Sequence, residues 1–206
     1  IQSKDNMYSL SSTEEVTPLH MAIMNENESI VKLLLSHKKI LINQKKISKK
    51  IIEDKNVVVL EKEYNEIQLA AEHNNVEIVK YLIENEDIEI NSLSYEKKFF
   101  GVSEKEIKQL FGYEPTDFRI IYNVNKKTAL HIAIESGHLE IAKTLLTSNK
   151  IDTNSISFAG DTLESDSNIL KNRRMTPLHK AIHKQNEKML ILLLAQESVD
   201  VNNKYY

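Results

Sequence analysis

Four stretches of the chain carry the same order of apolar and polar positions. They are "TPLHMAIMNENESIVKLLLSHKKILIN" from residue 17, "NEIQLAAEHNNVEIVKYLIENEDIEIN" from 65, "TALHIAIESGHLEIAKTLLTSNKIDTN" from 128 and "TPLHKAIHKQNEKMLILLLAQESVDVN" from 176. They align without a gap. Ala22, Ala70, Ala133 and Ala181 share one column, Leu34, Leu82, Leu145 and Leu193 a second, and Asn43, Asn91, Asn154 and Asn202 a third. Within each copy the apolar residues recur at helical spacing in two short runs, which predicts a pair of helices. In the first copy, helix one buries Leu19, Ala22 and Ile23, and helix two buries Ile30, Val31, Leu34 and Leu35. Thr17, Asn65, Thr128 and Thr176 are placed to cap the first helix, and Pro18 and Pro177 suit its first position. Gly137 and the pair Asn74-Asn75 suit the turn between the helices. Glu26-Asn27 and Gln185-Asn186 must make the same turn either with strain or one residue out of step.

A unit repeated four times implies one supersecondary element stacked on copies of itself. The "TPLH" starts, the alanine three residues after the leucine, "GHLEIAKTLL" and "VDVN" resemble the ankyrin repeat, whose signature is T-P-L-H-x-A with a period of about 33 residues. The resemblance implies antiparallel helix pairs stacked side by side, with hairpin fingers on one edge. The fold expected is therefore an all-α ankyrin-type solenoid with β-hairpin or finger insertions. Residues 1–206 read as a single domain, with repeat cores at 17–43, 65–91, 128–154 and 176–202.

Successive copies start farther apart than the family period, and the surplus lies after the asparagine column, at 44–64, 92–127 and 155–175. The first insertion alternates around "NVVVLEKEY" and reads as an elongated hairpin. The third is polar, contains Gly160-Asp161 and reads as a flexible loop. The middle insertion holds "SEKEIKQLFG", where Ser103 and Glu106 have capping-box spacing and Gly112 suits a helix end. It also gathers Tyr95, Phe99, Phe100, Phe111, Tyr113, Phe118 and Tyr122, which fit either a local core or an aromatic contact surface. Ile1 is not a methionine, and both ends read as cut from a longer array.

Composition narrows the chemistry. The chain has 206 residues, 41% hydrophobic and 28% charged, with a formal net charge of -3 and no cysteine. Thiolate chemistry and disulfides are excluded, and a reducing, cytoplasmic setting fits. Basic residues are interleaved with acidic ones, which argues against a nucleic-acid surface, and "KKISKK" and "KNRR" read as solvated loops. The longest apolar run, "MLILLLA", is far below the roughly 18 residues of a membrane span.

His179 and His183 stand four apart on one helix and have the spacing of a metal pair, but no third ligand accompanies them. By the family resemblance, His20, His131 and His179 tie the start of helix one to backbone. Gln68 stands in that column in the second copy and can also donate and accept. No P-loop, dinucleotide fingerprint, nucleophile elbow or zincin motif occurs. The chain thus reads as a non-catalytic protein-binding or scaffold module, without cofactor or metal. The alternative is a regulatory or anchoring segment of a larger enzyme, channel or secreted effector. By resemblance, the partner is a protein, met by finger tips and by variable helix-one positions: Met24, Asn25, Glu72, His73, Glu135, Ser136, His183 and Lys184. Phe99, Phe100, Phe111 and Tyr113 complete the candidate surface.

Overall fold

The computed structural model describes residues 9–53, 57–100, 121–163 and 166–204, with side chains at 13–48, 61–98, 123–160 and 173–204. Among the described residues, eight short helices form four pairs: α1 (Pro18–Met24) with α2 (Glu28–Leu35), α3 (Glu66–Glu72) with α4 (Val76–Glu84), α5 (Ala129–Ser136) with α6 (Leu139–Leu146), and α7 (Pro177–His183) with α8 (Glu187–Leu194). Each first helix starts at an extended capping residue whose side chain accepts the N–H three residues on: Thr17, Asn65, Thr128 and Thr176. Asn27, Asn75 and Asn186 cap α2, α4 and α8 in the same way.

The turn between paired helices falls at one position throughout. Glu26, Asn74, Gly137 and Gln185 all take positive φ, between 53° and 75°. The first and fourth turns are therefore strained rather than shifted, because Glu26 and Gln185 carry a Cβ in left-handed backbone at a cost of about 1–2 kcal/mol each.

The core runs through all four pairs. Ala70, Ala133 and Ala181 are fully buried, as are Leu82, Leu145 and Leu193. The expectation for Ile30 fails, since it is 46% exposed while Ile78, Ile141 and Met189 in the same column are fully buried. Second helices stack on one another, α2 with α4, α4 with α6 and α6 with α8, so that α2 has such a neighbour on one side only among the described residues. Ile182, 56% exposed where Ile23 and Ala71 are fully buried, shows the converse at the other end.

The asparagine column is an inter-repeat clamp. Asn43 donates to the Asp87 carbonyl at 2.8 Å and accepts from Glu89 N at 2.8 Å. Asn91 makes the same pair with Lys150 and Asp152, and Asn154 with Ser198 and Asp200. One side-chain amide thus satisfies a donor and an acceptor of the next copy, which neither Asp nor Leu could do.

An all-α solenoid is not what forms. Among the described residues, the three insertions and the segment before the first repeat build one seven-stranded antiparallel sheet in chain order: β1 (Ser9–Glu15), β2 (Lys46–Glu53), β3 (Val57–Tyr64), β4 (Tyr95–Phe100), β5 (Ile121–Lys126), β6 (Ser157–Leu163) and β7 (Asp166–Met175). The physical reason is a match of spacings. Stacked helices lie about 8–10 Å apart, and two strands together span about 9.6 Å. Each finger contributes two strands, so neighbouring fingers meet at hydrogen-bonding distance and zip together. The third insertion is accordingly not a flexible loop over its described residues: β6 and β7 pair antiparallel, with Gly160 in mid-strand opposite Val124 and Asn172. "KNRR" lies within β7, and most of "KKISKK" within β2, so neither is a loop. The helix expected at 103–112 lies outside the described residues.

Candidate functional site

The sheet turns one face toward the ends of the first helices. Its register sets Glu14, Ser48, Lys62, Glu96, Asn125, Ala159 and Arg173 in one cross-strand row. Contacts identify this as the helix-facing side, since Lys62 Nζ lies 3.5 Å from Glu72 Oε1 at the end of α3. The row and the helix ends are the two walls of a groove.

The helix-one positions expected to read a partner lie along it. Met24 and Asn25 end α1, Glu72 and His73 end α3, Glu135 and Ser136 end α5, and His183 and Lys184 end α7. Asn25, Ser136, His183 and Lys184 are exposed, while Met24, Glu72, His73 and Glu135 are half-buried. Met24 is the least available, because it packs on the core. Phe99 and Phe100 sit in β4 opposite Tyr122 and Ile121. Phe111 and Tyr113 lie outside the described residues.

Charge in the groove is mostly paired. Lys46 reaches Glu14 at 3.5 Å, and Glu135 meets Lys127 at 2.5 Å and Lys180 at 3.8 Å. These cations hold the Glu135 carboxyl below its usual pKa even though burial works against them. Tyr64, buried beneath Glu72 and Glu96, has its phenol pushed up, first by burial and then by those carboxylates. A cleft of about 170 Å³ opens where β5, β6 and β7 meet α5 and α7, lined by Asn125, Glu135, Ser157, Ala159, Arg173, Met175, Lys180, His183 and Lys184. A hollow of about 350 Å³ lies on the opposite sheet face, around Glu63, Tyr95 and Lys126.

Sequence reasoning missed Lys62, Tyr64, Lys127, Arg173 and Lys180. A signal existed for Lys180, which stands in a column otherwise filled by Met21, Leu69 and Ile132. Lys62, Tyr64 and Arg173 needed the sheet register, and Lys127 its contact with Glu135.

The motif histidines are built into the frame. His20 Nε2 lies 3.0 Å from the Gln44 carbonyl, which can only accept, so the proton is on Nε2 and Nδ1 accepts from Thr17 N at 3.2 Å. His131 repeats this with Met175 O at 3.0 Å and the Thr128 hydroxyl at 2.8 Å. Gln68 reproduces both contacts, its Oε1 accepting from Asn65 N at 2.9 Å and its Nε2 donating to Ser92 O at 2.7 Å. His179 Nδ1 is engaged with the Thr176 hydroxyl at 2.8 Å. His138 donates from Nδ1 to Ala71 O at 3.0 Å, joining two repeats. Among the described residues no group of three or more His, Asp or Glu is placed to hold a metal ion, and no described helix is long and apolar enough to cross a membrane.

Comparison with known proteins agrees with this frame. The family described as "Ankyrin repeats (3 copies)" matches residues 2–94 and 100–157, and "Ankyrin repeat" matches 173–205. No curated protein matches the chain. Ankyrin repeats are generally protein–protein interaction modules and typically non-catalytic. With these matches spanning most of its length, the chain belongs to the ankyrin-repeat family.

Proposed function

We propose that this chain is a non-catalytic scaffold that holds a protein partner in the groove between the inner face of its sheet and the ends of its first helices. The observation that carries this reading is the continuous row from Glu14 to Arg173, which faces side chains that vary between copies while the packing columns do not. Two walls bury more of a partner than either face alone, and stacked repeats bind along extended concave surfaces. A cysteine-free chain suits a reducing interior, where we place its action.

Photo-crosslinking residues placed one at a time at Ser48, Ala159 and Asn25 inside the groove, and at Lys80 and Lys143 on the exposed faces of α4 and α6, test this in cells that make the protein. Adducts are expected from the three groove positions only. Adducts confined to Lys80 and Lys143 would move the contact to the second helices and end this reading.

A further inference from the structure

Charge is unevenly balanced along the groove. Toward the second repeat, carboxylates and cations pair one to one: Lys46 with Glu14, Lys62 with Glu72 and, at 3.9 Å, Lys98 with Glu96. Toward the fourth, Glu135 already engages both Lys127 and Lys180, and Arg173 and Lys184 line the same cleft without an ion pair among the described residues. Among the described residues, four cations therefore share this end of the groove with one carboxylate. Lys180 is only 9% exposed and holds a position that is apolar in the other three repeats. Its ammonium is pushed below its usual pKa first by burial, then, against the pull of Glu135, by the positive charge of Lys127, Lys184 and Arg173. A cationic cluster with that much unrelieved repulsion gains most from an added negative charge.

The cleft has room for one. Ala159 stands between Asn125 and Arg173 in the cross-strand row, and its short side chain leaves the hollow of about 170 Å³ open above the sheet. Arg173 and Lys184 at the rim are exposed, so an incoming carboxylate reaches them without displacing an existing pair.

We propose that this cleft, between β5–β7 and the ends of α5 and α7, receives a Glu or Asp side chain from an acidic segment of the partner, held by Arg173 and Lys184 and supported by Lys180. The inference rests on the reading that the groove holds a protein. It assigns one end of that groove a chemistry: a partner segment of net negative charge lies over the third and fourth repeats.

The test uses the whole chain and the peptides (Glu-Gly)4 and (Gln-Gly)4, with inorganic phosphate as a free-anion control, followed by amide chemical shifts at low ionic strength. The acidic peptide is expected to shift resonances of residues 157–159 and 173–184, and to saturate at a concentration at least tenfold lower than the neutral peptide. R173E/K184E should weaken it at least tenfold, whereas K38E/K188E, which changes net charge equally on exposed lysines away from the groove, should change it less than threefold. R173Q/K184Q gives the same reading without charge reversal if the first variant does not fold. Equal weakening by both charge-reversed pairs, shifts centred on α1 to α4, or phosphate saturating as readily as the peptide would each overturn the proposal. Failure of the two readings is distinguishable. Groove crosslinks that persist unchanged in R173Q/K184Q leave the groove as the binding site and remove the acidic segment, while crosslinks at Lys80 and Lys143 alone remove the groove itself.

Discussion

The second and third repeats have the same frame and fill it with different chemistry. Both bury their alanine and leucine columns completely, and both tie the first helix to the following finger through one side chain. In the second repeat that side chain is Gln68, which does not titrate; in the third it is His131, fully buried, whose pKa burial lowers to about 4. At the first helical position the second repeat has Glu66, also fully buried, where the third has Ala129. Glu66 Oε1 accepts from Gln44 N at 3.2 Å and lies 3.7 Å from His20 Nε2, but Oε2 has no hydrogen-bond partner among the described residues, and burial raises the carboxyl's pKa. The difference teaches that packing is shared between the two copies, whereas response to pH belongs to each.

The largest expected effect checks the shared half of this comparison. Leu82→Ala and Leu145→Ala should each cost about 2–5 kcal/mol in denaturant unfolding, and by similar amounts, since both leucines are fully buried in one column. A cost confined to one of them would break the equivalence of the frames. The next effect concerns the third repeat alone. Because the folded pKa of His131 lies below the unfolded value of about 6.5, the unfolded chain binds more protons between pH 6.5 and 4. Stability should therefore fall as pH drops through that window, by up to about 3 kcal/mol from this residue. Thermal melts of His131→Gln should lose that part of the acid slope.

Glu66 has the opposite sign. A carboxyl with a raised folded pKa contributes stability below its unfolded value that is lost as pH rises through the folded one. Glu66→Gln should thus stabilise the chain at neutral pH, by about 1–2 kcal/mol, and flatten the dependence on rising pH. An unchanged or lower melting temperature at pH 7 would show that the lone Oε2 is not a cost. The smallest effect is Gln68→His, which should alter stability by less than about 1 kcal/mol, because the imidazole meets the same donor and acceptor. It should at the same time give the second repeat an acid sensitivity that the wild-type repeat lacks.

Local features were legible in the sequence because their causes are local. Thr17, Asn65, Thr128 and Thr176 cap helices through contacts three residues away, and the alanine and leucine columns follow helical period. The sheet was not legible as a sheet. Pairing of β3 with β4 or β5 with β6 links fingers separated by a whole helix pair, and it depends on the stacking distance, which no single finger encodes. Polar composition and Gly160-Asp161 argued for a loop, yet a strand flanked on both sides needs no apolar run of its own to be held in place. The groove was half legible: the variable helix ends were found, and the opposing wall of Lys62, Asn125 and Arg173 was not. The asparagine column was visible as an identity, but its role lies in the neighbouring copy, where Glu89, Asp152 and Asp200 offer backbone N–H groups.

The continuous sheet also changes how the array responds to load. A solenoid joined through its helices alone extends as a spring, each repeat loosening from the next in turn, because coupling acts only between neighbouring interfaces. Here the strands on either side of each of the first three helix pairs are also joined by a ladder of hydrogen bonds along one edge. Pulling the ends apart must open both connections together, so the finger edge is the stiff side of the spring and the second-helix edge the compliant one. Bending then occurs about the sheet as a hinge line, and a groove that lies against that line keeps its shape while the far edge flexes.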